Sequence, residues 1–154
     1  MFIQTVVDLR RAIDYLKVRG DINQEKIGYV GASMGAIMGV VLAGIDNRVK
    51  GVISIVGGGG FLETYPLVKV FPQALALLSL ADPIYYVDRI SPRPLLMING
   101  LKDNIVPKKT AEALFNAACE PKEIFWFESG HGDMPQDEVM RICKEWFEKY
   151  FFVK

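Results

Sequence analysis

Four short, largely apolar runs constrain this chain more than any other feature: residues 27–31, 49–56, 94–99 and 123–127. Near-continuous apolar runs of this length predict strands buried on both faces of a sheet. Segments of helical period separate them. Phe2, Val6, Leu9, Ile13 and Leu16 recur at three- and four-residue steps with charges between them, which predicts an amphipathic helix ending near Gly20. Residues 36–43, rich in Gly and Ala, predict a helix that packs closely on a sheet. Residues 107–119 predict a helix with Pro107 in its first turn. Residues 135–151 predict a long amphipathic helix with Val139, Ile142, Trp146, Phe147 and Tyr150 on one stripe. Such alternation implies a mostly parallel α/β sheet of about four strands, helices on both faces, in one domain spanning residues 1–154.

One stretch breaks the alternation. Gly57, Gly58, Gly59 and Gly60 end the second run, and residues 57–91, cut by Pro66, Pro72 and Pro83, are too long for a simple crossover. Connections of this length inside a domain are often functional, so the segment is expected to be a lid insertion. Its apolar residues, including Phe61, Leu62, Tyr65, Leu67, Val68, Val70, Phe71, Leu75, Leu77 and Leu78, could equally line an acyl pocket or serve as core or interface. The glycine run lacks the G-K-[ST] ending of a phosphate loop.

Composition narrows the function. Eighteen basic and eighteen acidic side chains give zero formal net charge, which argues against nucleic acid or an anionic membrane as partner. No apolar run is long enough to span a membrane. Asp8, Arg10, Arg11 and Asp14 in the first segment argue against a signal peptide. Cys119 and Cys143 are far apart and match no redox or metal spacing, so both are expected to be reduced thiols in a cytoplasmic protein. No cofactor or metal is called for.

The chemistry lies in the turns at the C-terminal ends of these runs. Gly31-Ala32-Ser33-Met34-Gly35 spells G-x-S-x-G between a predicted strand and a predicted helix, the setting of a nucleophile elbow. By composition alone that pattern arises in about 5% of chains this long, so the setting carries the weight. A Cβ at either glycine is expected to clash in so tight a turn. Asp103 comes after the third run and His131 after the fourth. Sites on such sheets form at the C-terminal strand ends, so Ser33, Asp103 and His131 are expected on one edge. His131 is the only histidine, so a general base has no rival. A serine hydroxyl needs a base to take its proton, and the base needs an acid to orient it. Asp103 suits that role better than Asp82, Asp88, Glu128 or Asp133. The Met34 backbone N–H is the expected oxyanion donor. The plainer alternatives remain: Ser33 as a helix N-cap, Asp103 as a turn residue, His131 as a surface loop histidine.

These pieces resemble the C-terminal part of an α/β-hydrolase of the esterase or dienelactone-hydrolase-like kind. The carrying segments are residues 26–35 for the elbow, 99–107 for the acid turn, whose G-x-x-D-x-x-V-P pattern is met at all four fixed positions, and 129–132 for the histidine loop. The resemblance implies hydrolysis of a small carboxylic ester by Ser33, Asp103 and His131, without cofactor. Dienelactone hydrolases proper use cysteine where Ser33 stands, and related serine peptidases often carry an aromatic residue where Met34 stands. Both departures point toward a carboxylesterase. The runners-up are a prolyl-oligopeptidase-type peptidase and a non-catalytic fragment acting in assembly.

The family sheet has about eight strands, of which these resemble the last four, and the loop giving the second oxyanion donor would lie earlier. The chain is therefore expected to be part of a longer enzyme, to draw the rest from a partner, or to be catalytically impaired. Its first strand would have an open edge, so it is expected to pair there, or through apolar surface around residues 61–80, with a second copy or with an N-terminal segment. A homodimer is the favoured form.

Overall fold

The computed structural model describes residues 2–65 and 70–152. Leu67 and Val68 of the apolar stretch lie outside the described residues, as do the side chains of Leu77 and Leu78. The elements run α1 (Phe2–Lys17), β1 (Tyr29–Ala32), α2 (Met34–Ile45), β2 (Val52–Ile55), α3 (Phe61–Thr64), α4 (Pro72–Ala81), β3 (Leu95–Gly100), α5 (Lys108–Ala117), β4 (Lys122–Phe127) and α6 (Gln136–Phe147), which closes with a π-helical turn, Glu148–Phe152. All four expected strands are present, the first two shortened, the third shifted by one residue and the fourth one residue longer. The helix after Ser33 starts at Met34, two residues earlier than its Gly/Ala pattern suggests.

The strands pair in parallel in the order β1-β2-β3-β4. Side-chain alternation builds a core on each face. Val52, Leu95 and Met97 turn to the side covered by α1, α2 and α5, where Val6, Ile13, Val40, Leu42, Ala111 and Leu114 are buried. Ile53, Leu96 and Ile98 turn to the other side, against Val139, Ile142, Cys143 and Trp146 of α6 and Phe151 beyond it. Each such aliphatic side chain contributes about 1.5–3 kcal/mol when fully buried. Because every strand runs the same way, the turns after β1, β2, β3 and β4 meet at one edge.

Among the described residues, segment 57–91 includes α3, α4 and the 3₁₀ turns Pro83–Tyr85 and Val87–Ile90. The four glycines are buried. A Cβ on Gly57 would come within 2.2 Å of Ser54 Oγ, so the run serves close packing. Buried Asp82 accepts from the N–H groups of Gly60, Phe61 and Ile84 at 2.9, 2.7 and 3.1 Å, tying both ends of the segment together. Val70, Phe71 and Tyr65 are exposed. Among the described residues no helix is long and apolar enough to cross a membrane.

Candidate active site

Ser33 sits between β1 and α2 with φ 52° and ψ −118°. A non-glycine residue at positive φ costs about 1–3 kcal/mol and persists only when its surroundings over-determine it. Here Ser33 N–H donates to Ile55 O at 2.9 Å, and Ile37 N–H closes the first helical turn on Ser33 O at 3.2 Å. Ser33 occupies the N-cap position, yet its hydroxyl makes no capping bond. Ser33 Oγ lies instead 2.8 Å from His131 Nε2.

His131 Nδ1 is 2.7 Å from Asp103 Oδ2. The Asp103 side chain is fully buried, and its Oδ1 accepts from Ile105 N–H and Val106 N–H at 2.9 and 2.8 Å. Asp103 is thus both turn residue and histidine partner. A carboxylate only accepts, so the proton between the pair belongs to Nδ1, and the Nε2 lone pair faces the Ser33 hydroxyl. The acid turn and histidine loop are joined through backbone: Leu101 N–H donates to Phe127 O at 2.8 Å and Lys102 N–H to Ser129 O at 2.9 Å. Glu128 pairs with Lys102, Asp133 accepts from Gly130 N–H, and Asp82 closes the distant segment. Asp88 is exposed on a 3₁₀ turn.

Met34 opens α2, so its N–H is among the first-turn donors that have no acceptor within the helix. Beside His131 lies a hollow of about 300 Å³, lined by Ala32, Ile55, Val56, Met134, Val139 and Met140 among others. Val56 on its wall, at φ 45°, is the second non-glycine residue at positive φ among the described residues.

One expectation fails. A Cβ on Gly31 would meet Gly35 O at 2.4 Å, but a Cβ on Gly35 would find nothing nearer than Tyr29 Oη at 3.9 Å. The close approach is made by the strand-side glycine: a Cβ there would point at the backbone of α2, whereas a Cβ on Gly35 would not point at β1. Sequence reasoning also missed Tyr29, whose hydroxyl donates to Gly35 O at 2.9 Å. The available signal was the four-residue spacing of Gly31, Gly35 and Gly39.

The sequence model of the dienelactone hydrolase family matches residues 3–141. The chain belongs to the dienelactone hydrolase family. Its curated relatives include the uncharacterised protein YfhR of Salmonella typhimurium, 30% identical over an alignment of 138 positions that covers 80% of this chain and 46% of that one. Another is the acetyl esterase Axe7A of Xylanibacter ruminicola, 29% identical, covering 73% of this chain and 28% of that one. Among solved structures, an acetyl xylan esterase from Paenibacillus sp. R4 superposes with a TM-score of 0.82 over 96% of this chain and 52% of that one, at 24% identity, which speaks to the fold. This member of the dienelactone hydrolase family spans about half the length of the first curated relatives it matches. It is a partial α/β-hydrolase fold.

Proposed function

We propose that this chain is a serine hydrolase that cleaves small carboxylic esters through an acyl-serine intermediate. The observation that carries the reading is the continuous hydrogen-bonded line Ser33–His131–Asp103, with Ser33 held at a strained elbow. Ser33 Oγ attacks the ester carbonyl carbon while His131 Nε2 takes its proton. Asp103 holds the ring in the required tautomer and stabilises the imidazolium. The Met34 N–H, at the positive end of α2, donates to the oxyanion. Collapse breaks the ester C–O bond, and the departing alkoxide takes the proton from His131. Water then repeats the sequence on acyl-Ser33, releasing the carboxylic acid and restoring the hydroxyl.

A fluorophosphonate probe is expected to label Ser33 alone, and p-nitrophenyl acetate or butyrate to be turned over. Ser33→Ala should abolish both while leaving the fold intact. Unchanged labelling in Ser33→Ala would remove Ser33 from the role. Turnover of peptide anilides in place of esters would move the reading to a peptidase. A folded chain silent to all these reagents would favour the non-catalytic assembly role, which the chain's half-length match to its relatives keeps in view.

A further inference from the structure

We infer that Tyr29 is a positioning residue for the elbow, bridging the strand before Ser33 and the helix after it. The inference rests on the reading of Ser33 as the nucleophile. The Tyr29 ring lies in a slot shaped by missing side chains. A Cβ on Gly39 would stand 2.1 Å from ring atom Cε1, and a Cβ on Gly31 2.7 Å from it. Past the ring, Tyr29 Oη reaches Gly35 O at 2.9 Å, on the second residue of α2. The G-x-S-x-G pattern does not require a tyrosine there.

The geometry gives the bond a specific task. Ser33 is strained, and strain of this kind relaxes unless both flanks are held. On one flank, Ser33 N–H is fixed to Ile55 O of β2. On the other, the Tyr29 hydroxyl fixes the first turn of α2, whose Met34 N–H and Ser33 Oγ must keep their mutual placement. Burial pushes the Tyr29 phenol above its ordinary pKa, so it stays a donor at neutral and mildly alkaline pH.

Tyr29→Phe leaves the ring in its slot and removes only this bond. One neutral hydrogen bond corresponds to a factor of about three to ten. The expected result is a fall of about that size in kcat on p-nitrophenyl acetate and in the rate of fluorophosphonate labelling of Ser33, with KM unchanged. Amide exchange at Ile37, which closes the first turn on Ser33 O, should quicken by a similar factor, while exchange in α6 stays as before. Wild-type values of kcat, labelling rate and Ile37 exchange would overturn the inference. So would a raised KM with unchanged kcat, which would make Tyr29 a substrate contact. If the unmodified protein neither turns over esters nor labels, the serine-hydrolase reading fails separately. The Ile37 exchange rate then decides the brace: faster in Tyr29→Phe supports it, unchanged overturns it.

Discussion

Ser33 shows how the backbone of a single residue aims its side chain. Its φ of 52° removes the hydroxyl from the ordinary capping geometry and turns it to His131 Nε2. The two motif glycines contribute unequally. Gly31→Ala would drive a Cβ to within 2.4 Å of a backbone oxygen that cannot yield without moving α2. We expect it to cost about 1–3 kcal/mol in urea unfolding, as overpacking does. Gly35→Ala meets only ordinary van der Waals contact with Tyr29 Oη, lies in a helix, and should be neutral or stabilising by about 0.5–1 kcal/mol. Equal destabilisation by the two changes would show that the helix presses on the strand at both positions.

At the scale of elements, α2 is held at both ends. Its start is the elbow, and its end is held by arginines. Arg93 donates to the carbonyls of Ala43, Asp46 and Val49, placing a cation where the helix dipole is negative. Asp46, the C-cap residue, accepts from Arg48 Nε and Nη2 at 2.8 and 2.6 Å and from Arg10 Nε of α1 at 3.2 Å, and Arg48 also reaches Asp14 of α1. The side-chain hydrogen bonds from Arg48 lower the Asp46 carboxyl pKa to about 2, outweighing the opposing effect of burial, with smaller help from the Arg48 N–H and from Arg10. A carboxyl depressed on folding stabilises above its unfolded pKa and loses that contribution as pH falls toward its folded value. We therefore expect Asp46 to account for about 2 kcal/mol of stability lost between about pH 5 and pH 2. Asp46→Asn should lower stability at pH 7 and flatten that part of the acid profile. Parallel profiles for wild type and variant in urea unfolding would rule Asp46 out as the cause.

For the whole molecule, the deciding feature is the open sheet edge at β1. Among the described residues, β1 pairs only with β2. Tyr29 N–H and Ser33 N–H point toward β2, so by strand alternation Val30 N–H and Ala32 N–H face the open side. Val30 is 47% exposed, Ala32 is exposed, and Met140 of α6 is exposed beside the hollow at His131. Bare edges of this kind invite strand pairing. We propose that a second copy covers this edge, since a two-fold axis lets one edge meet its own like. Light scattering over a dilution series should show a dimer that Val30→Lys shifts to monomer. A monomer at every concentration that binds no hydrophobic dye would sink this proposal.

By itself the sequence determined the fold class and the chain order of the candidate residues. Four apolar runs between amphipathic segments can bury themselves only as a sheet covered on both faces, and the turns leaving parallel strands must share one edge. That logic is local and periodic, so the placing of Ser33, Asp103 and His131 after the first, third and fourth strands was legible from the motifs and the strand ends. Only the tertiary structure brought Ser33 Oγ within 2.8 Å of His131 Nε2 across 98 residues of chain. It also decided which motif glycine has no room for a Cβ, that Asp103 holds its turn and His131 at once, and that Tyr29, Asp82 and Asp46 have the partners they do. Those contacts depend on the angle at which α2 leaves β1 and on where long loops return. Such quantities arise from packing many side chains together, and no short window of residues encodes them.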